Sequence, residues 1–372
     1  MATTADYLNK LVTQKNTLAD NLVTKGVTAT HDETLETLVP KVLDISGGGG
    51  GNGIYPIGED GRPTGDVTVP EGVTSLYRYI FSDDVNVTSV KLPESLTKFE
   101  NYCFNGCSGL TEFDIPNNVT AISEYCFNNC SGLTQITLSA GTKSIGMYAF
   151  QNCKNLTNIN IPDDTSYSIG NSAFYNSGIT NDCAKNIVSH ANSIGSYVFR
   201  YCLSLTDVEV SFFSEYMFYQ CANLITAKST QATTNSGSSV FYDCTNLTTV
   251  SLADGITNIG TQLFYGCKSL KTVYLPSSIT SASGNSLTAS NSYYIFYNCT
   301  ALEDVQLGQD WNMSLRLDVS NNITVDSMIA MFNSLKDLTG DTAKTLTLGE
   351  TNLAKLTDEQ KAIATNKNWT LA

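Results

Sequence analysis

The sequence predicts an α/β repeat solenoid in which short parallel strands stack coil upon coil, with a helical segment at its N-terminus and an α/β unit at its C-terminus. Three observations lead there. A Phe, a Cys three residues later and a Leu three residues after that recur down the chain, mostly every 23 residues. After each Leu, apolar and polar residues alternate with the period of a half-buried strand. Both ends of the chain abandon this rule and show helical spacing.

Residues 1–46 form the first element. Leu8, Leu11, Leu18 and Leu22 follow a helical stripe, and after a turn at Gly26 the stretch "THDETLETLVPKVLDI" opens with a capping box, Thr30 with Glu33. Leu35, Leu38, Val39 and Val42 line one face of a second helix that Pro40 bends or restarts. Two short helices cannot hold a sizeable core. They are expected to attach the chain to a partner or to copies of itself, giving a homo-oligomer, with a trimer as one form. Residues 47–65, opening with "GGGGGNG", read as a flexible tether.

The solenoid occupies residues 66–312. Its units are set by Phe81, Phe104, Phe127, Phe150, Phe174, Phe199, Phe218, Phe241, Phe264 and Phe296. A period of this length marks repeats that bury their apolar faces only by stacking on one another. Pro93, Pro116, Pro162 and Pro276 follow the strand positions and stop their ladders. Gly146, Gly170, Gly195 and Gly260 suggest turns. Three units are irregular. After Phe174 the stretch "GITNDCAKNIVSHANSIG" replaces the strand by a helix, capped by Asn181 or Asp182, with Ala184, Ile187, Val188 and Ala191 at helical spacing. The unit from Phe199 to Phe218 is short, and "SASGNSLTASNS" lengthens the one before Phe296 as either an idle loop or a ligand contact.

Residues 313–372 read as a terminal cap over the last Phe/Leu layer. Ser327–Leu338 is helical in pattern, "KTLTLGETNLAKL" alternates as a strand, Thr357 with Gln360 caps a final helix, and "NWTL" returns as a strand.

A net charge of −14, with charged residues at only 15%, opposes binding to nucleic acid or anionic membranes. No apolar run is long enough to span a bilayer. The opening "MATTADYLNK" lacks the pattern of a signal peptide, so synthesis in a cytoplasm and reduced thiols are expected. Eight of the 11 cysteines recur once per unit, and Cys103 and Cys126 take a slot held elsewhere by Ala149, Val198 or Ile295. This spacing points to buried small hydrophobes; the alternatives are a few disulfides between units or a metal site.

The unit "SIGMYAFQNCKNLTNINIP", Ser144 to Pro162, resembles the BspA-type leucine-rich repeat, and the resemblance runs over residues 66–312. It implies a curved, right-handed superhelix with one face free for binding. The stretch from Leu11 to Ile45 resembles the N-terminal helical segment of tail-associated bacteriophage virion proteins. That resemblance implies an attachment end joined to phage tail proteins, and a repeat region directed at a host-surface glycan or protein.

The outward strand positions supply the candidate binding residues of a concave face: Glu112, Asp114, Gln135, Asn158, Asn160, Asp207, Glu209 and Tyr274. Their hydroxyls, amides and carboxylates suit either a plain soluble surface or contact with a sugar polymer. Recurring tyrosines next to the Phe positions, such as Tyr102, Tyr125, Tyr148, Tyr242 and Tyr265, offer either scaffold packing or a ligand platform. With two solvent-facing histidines, His31 and His190, and no nucleophile elbow, P-loop or metal motif, no enzyme is expected, and no cofactor or metal. The expected protein is a non-catalytic phage tail fibre or receptor-binding protein located in the virion, or alternatively a bacterial surface or secreted adhesin.

Overall fold

In a computed structural model of the chain, the described residues are 15–16, 30 and 62–372, apart from 232, 283–284 and 287–293. The residues expected to serve attachment, Leu8, Leu11, Leu18, Leu22, Leu35, Leu38, Val39 and Val42, lie outside them.

Each regular coil has three sides, and along most of the stack each side bonds to the next coil. The first carries the main strands. Gly65–Thr68 pairs with Val87–Lys91; Glu112–Asp114, Gln135–Thr137 and Asn158–Asn160 form a second sheet; Asp207–Val210, Thr226–Ser229, Thr249–Ser251, Thr272–Leu275 and Asp304–Leu307 form a third. All these pairs are parallel. Residue 65, read above as tether, is therefore already the start of a strand. The second side carries two- to four-residue strands such as Ala121–Ile122, Ser144–Ile145 and Tyr167–Ile169, also parallel. On the third side the Phe N–H groups from Phe81 to Phe264 donate to the next coil, as from Phe104 to Cys126 O at 2.9 Å and from Phe127 to Ala149 O at 2.9 Å.

The ten Phe rings form one unbroken column along the axis, with successive centroids 5.2–5.9 Å apart. The thiols explain why Cys recurs. Cys107 Sγ lies 2.9 Å from the carbonyl oxygen of Phe81, one coil back, and Cys130, Cys153, Cys202, Cys221, Cys244, Cys267 and Cys299 repeat the contact at 3.0–3.1 Å. A thiol is small and apolar enough for the core, yet its weak donor reaches a carbonyl there. All 11 cysteines are buried and free. Ser177 holds the slot in the coil of Phe174; its shorter side chain donates instead to Phe174 O, in its own coil, at 2.7 Å. In the first coil Asp84 holds it, 5% exposed and 3.5 Å from Arg62 Nη1. This acid is part of the core edge.

The tight turns demand left-handed backbone on both sides of each Phe. Two residues after it, Asp83, Asn129, Asn152, Asn176, Asp243 and Asn298 have φ between 53° and 63°. Asn and Asp tolerate this region. Two residues before it, Tyr79, Tyr102, Tyr125, Tyr148, Tyr197 and Tyr216 have φ between 54° and 63°, a costly choice for a bulky residue. Gly260 does not follow the turn logic expected of it: a Cβ there would meet Ser238 Cα at 2.3 Å, so glycine is required by the approach of the neighbouring coil.

Helix Asn181–His190 replaces one main strand. Its cap is Thr180, whose side chain accepts from Cys183 N, and not Asn181 or Asp182 as expected. Asn181 has another task. Its Oδ1 accepts from Thr206 N at 3.0 Å and its Nδ2 donates to Thr206 Oγ1 at 3.0 Å, so a side-chain amide stands in for the peptide group of the missing strand. The helix ends at His190, and Ala191 begins the strand Ala191–Ile194. His190 is half-buried, with Nδ1 2.9 Å from Asn186 O, rather than solvent-facing. The short coil after Phe199 lacks a second-side strand, and that row breaks between Ala191–Ile194 and Asn235–Ser236. The insertion opens with an antiparallel pair, Ser281–Ala282 against Asn285–Ser286.

Beyond the last coil, Leu315–Arg316, Lys344–Thr347 and Trp369–Leu371 make a parallel sheet. Helix Val325–Ser334 joins the final strand through Ser327 Oγ, which accepts from Val305 N at 2.9 Å. The alternating pattern "KTLTLGETNLAKL" stays a strand only to Thr347; Gly349, at φ +79°, turns the chain into the helical turn Glu350–Leu353. Thr357 and Gln360 form the expected capping box. Asn368 adopts φ +61° and donates to Leu338 O and Asp341 O at 3.1 and 2.8 Å.

Candidate ligand-binding surface

Alternation along the main strands turns one set of side chains inward and the other outward. Phe113, Ile136, Ile159, Val208 and Val273 are buried, and Glu112, Asp114, Gln135, Asn158, Asn160, Asp207, Glu209 and Tyr274 lie outward between them. The structure places these eight residues on the main-strand side but does not gather them into one patch. Helix Asn181–His190 separates the first five from the last three.

Most of this face is tied to itself. Asn158 Nδ2 donates to Gln135 Oε1 at 3.3 Å and to Asn160 Oδ1 at 2.8 Å, and Asn160 Nδ2 donates to Thr137 Oγ1 at 3.3 Å. Asp207 Oδ1 accepts from Thr226 Oγ1 at 2.6 Å. Tyr274 donates to Asp254 Oδ1 at 2.7 Å; burial and that carboxylate push its phenol up to about 12. Among the described residues, Glu112, Asp114 and Glu209 have no side-chain partner.

The row opens at one place where no element fills the space. Thr134 N donates to Thr111 O, Thr157 N to Thr134 O, Thr248 N to Ile225 O and Lys271 N to Thr248 O, at 2.8–3.0 Å. No backbone bond joins Val87–Lys91 to Glu112–Asp114 among the described residues. The coils are close at Gly109, where a Cβ would meet Val85 O at 2.4 Å, and are bridged again where Asn118 Nδ2 donates to Glu94 O at 2.7 Å. Between these points lies a cleft of about 660 Å³, with Ser89, Lys91, Glu94, Glu112, Asp114 and Asn117 on its walls and Val90, Leu92, Phe113 and Ile115 beneath. Ser89 is already engaged, donating to Asp66 Oδ1 at 2.6 Å; that bond, with a second from Thr88, holds the Asp66 carboxyl below its ordinary range. Nothing in the spacing signals this cleft, since Phe81 and Phe104 keep the regular interval of 23.

The tyrosines form ladders on the turn side. Tyr79, Tyr102, Tyr125 and Tyr148 stack at 4.6–5.0 Å, and Tyr219, Tyr242, Tyr265 and Tyr297 at 4.6–4.7 Å. Stacked rings cover one another's faces, so they serve the scaffold and leave mainly edges for a ligand. Arg200 sits where the ladder shifts from one slot to the other, its guanidinium 4.8–5.5 Å from the rings of Tyr175, Tyr197, Tyr201 and Tyr219. This cation–π cluster was legible in principle, because Arg200 occupies a recurring Tyr slot.

Burial raises every thiol that departs from its ordinary value, Cys183 and Cys202 to about 11 and the others further. A thiol held protonated is a poor nucleophile and metal ligand. Among the described residues no group of three or more His, Cys, Asp or Glu is arranged to hold a metal.

The family model for the BspA type leucine-rich repeat region matches in six copies, over residues 63–181, 167–293 and 214–316. The chain belongs to the BspA-type leucine-rich repeat family. The BspA-type region is similar to a leucine-rich repeat protein of Bacteroides ovatus, at 27% identity over 65% of this chain and with a TM-score of 0.53. The match spans 60% of that protein's length. A leucine rich cell surface protein of Faecalibacterium prausnitzii matches at 25% identity over 65% of this chain and 72% of that one, with a TM-score of 0.41. No curated protein matches the chain. No enzyme family is indicated, and BspA-type repeats are in general non-catalytic binding modules.

Proposed function

We propose that this chain is a non-enzymatic recognition rod acting at a bacterial surface, with the main-strand side as its contact face. The observation that carries the reading is the contrast on that side: a polar surface largely bonded to itself, broken by a cleft where the strand ladder fails and whose carboxylates have no partner. A self-satisfied surface offers little new bonding to a ligand, whereas unengaged groups beside a cavity do. The test is adhesion of the labelled full-length chain to intact bacterial cells. Charge-neutralising changes on the main-strand side should weaken adhesion about tenfold, and changes on the tyrosine side should leave it within about twofold.

Two mountings fit this reading. Display on a bacterial cell follows from the family. Attachment to a phage tail, with residues 1–46, whose apolar spacing predicts helices, holding the chain in an oligomer, follows from the likeness of Leu11–Ile45 to phage tail-associated segments. Mass spectrometry separates them: the protein is found either in purified virions or in the cell-surface fraction. Light scattering of the full chain against a Leu18→Asp, Leu38→Asp variant tests the oligomer.

A further inference from the structure

We propose that the cleft between Val87–Lys91 and Glu112–Asp114 binds a glycan free of acidic groups. The inference rests on the strand-side recognition reading and gives that surface a ligand class.

Width comes first. The two bordering strands remain within 8 Å of each other at their nearest Cα atoms. Inserting a peptide strand between them would need about 9.6 Å, twice the usual spacing of about 4.8 Å. At that point of closest approach the cleft therefore cannot take a polypeptide by completing the sheet. It admits a thinner ligand that reaches in with single polar groups. Its 660 Å³ falls within the range of about 300–1,000 Å³ usual for small-ligand sites.

The bonding groups come second. Because no ladder joins the two strands, both walls bring peptide N–H and C=O groups that lack a partner across the gap. Glu112 and Asp114 add acceptors without a partner of their own, and Lys91 adds a donor. Walls that mix donors and acceptors at close spacing match a ligand whose every hydroxyl both donates and accepts. The half-buried Val90 and Leu92 offer apolar surface to the C–H face of a ring.

Charge comes third. Three carboxylates, Glu94, Glu112 and Asp114, stand against the single cation Lys91, in a chain of net charge −14. Carboxylated, sulfated or phosphorylated polymers are repelled. Neutral and N-acetylated sugars are not.

The test is an array of neutral, N-acetylated and acidic oligosaccharides probed with three forms of the full-length chain: unchanged, Glu112→Gln with Asp114→Asn, and, as the control on the tyrosine side, Glu124→Gln with Glu215→Gln. Circular dichroism verifies each fold. The expected result is binding of a neutral or N-acetylated sugar, weakened at least about tenfold in the first variant and within about twofold in the control. Binding of acidic sugars alone, or an equal loss in both variants, overturns the proposal. If no sugar binds while the chain still adheres to cells, the glycan inference fails and the recognition reading stands. If adhesion is absent too, both fail.

Discussion

Alkaline pH should unfold the solenoid through its thiols. Eleven buried, free cysteines line the core. Burial raises their folded-state pKa values, to about 11 for Cys183 and Cys202 and higher for others such as Cys130 and Cys267. In the unfolded chain a thiol ionises near pH 8.5. The fold thus keeps protons that the unfolded chain gives up. The stabilisation is fully present below about pH 8.5 and is lost as pH climbs toward the folded values. Each thiol contributes about 1.4 kcal/mol per pH unit in that window. By about pH 9.5 the eleven together cost about 15 kcal/mol, comparable to the entire stability of many domains, about 5–15 kcal/mol. Circular dichroism followed against pH, with thiolate absorbance recorded on the same samples, reads this directly. Both signals should change together between about pH 9 and 10.5, while near neutrality a thiol reagent should label the native chain hardly at all. Thiolate absorbance that rises while the dichroism holds, or a fold intact at about pH 11, would refute the argument, because either requires thiols that ionise inside the fold.

Three further outcomes follow from local geometry. Phe127→Ala removes a fully buried ring from the middle of the column, between Phe104 and Phe150, and should cost about 3–5 kcal/mol in denaturant unfolding. Gly260→Ala places a Cβ against Ser238 Cα and should destabilise more than the same change at Gly340, where nothing lies within 4 Å and the cost is only the strain of a φ of +90°; the midpoint difference checks it. Thr357→Ala breaks the capping box of helix Asp358–Thr365 and should cost about 1 kcal/mol, read in the same assay.

The interior was readable from sequence because each coil writes its own rule. A Phe, a Cys and a Leu return at fixed offsets only if each meets its counterpart one coil away, and the column and the thiol contacts are that meeting. The helical replacement at residues 181–190 was readable for the same reason, as a change of period. The cap at Thr180 was not, because Thr, Asn and Asp stand side by side and all three are good caps. Only the claim on Asn181 by Thr206 across the coil distinguishes them. The reason for Gly260 was hidden likewise, since a residue made small by a neighbouring backbone looks in sequence like one made small for a turn.

The candidate surface was legible as a direction but not as a site. Alternation predicts which side chains face outward, and Glu112, Asp114 and Asn158 do. It cannot predict which of them are already occupied, because that depends on the register between coils. Asn158 and Gln135 bond because parallel pairing sets them opposite each other. Glu112 is also set opposite Gln135, but the ladder on its other side is missing. In a stack where every coil satisfies the next, spare bonding capacity collects where the stacking fails. The local interval is the regular 23 on both sides of this failure, so no count along the chain exposes it. The consequence reaches the search for a ligand: changes that close the break should abolish binding, whereas exchanging side chains on its walls only weakens it. A pair of cysteines linking the two strands across the cleft tests this. Loss of binding on oxidation and its return on reduction would tie recognition to the gap itself, and unchanged binding would move it elsewhere on the strand side.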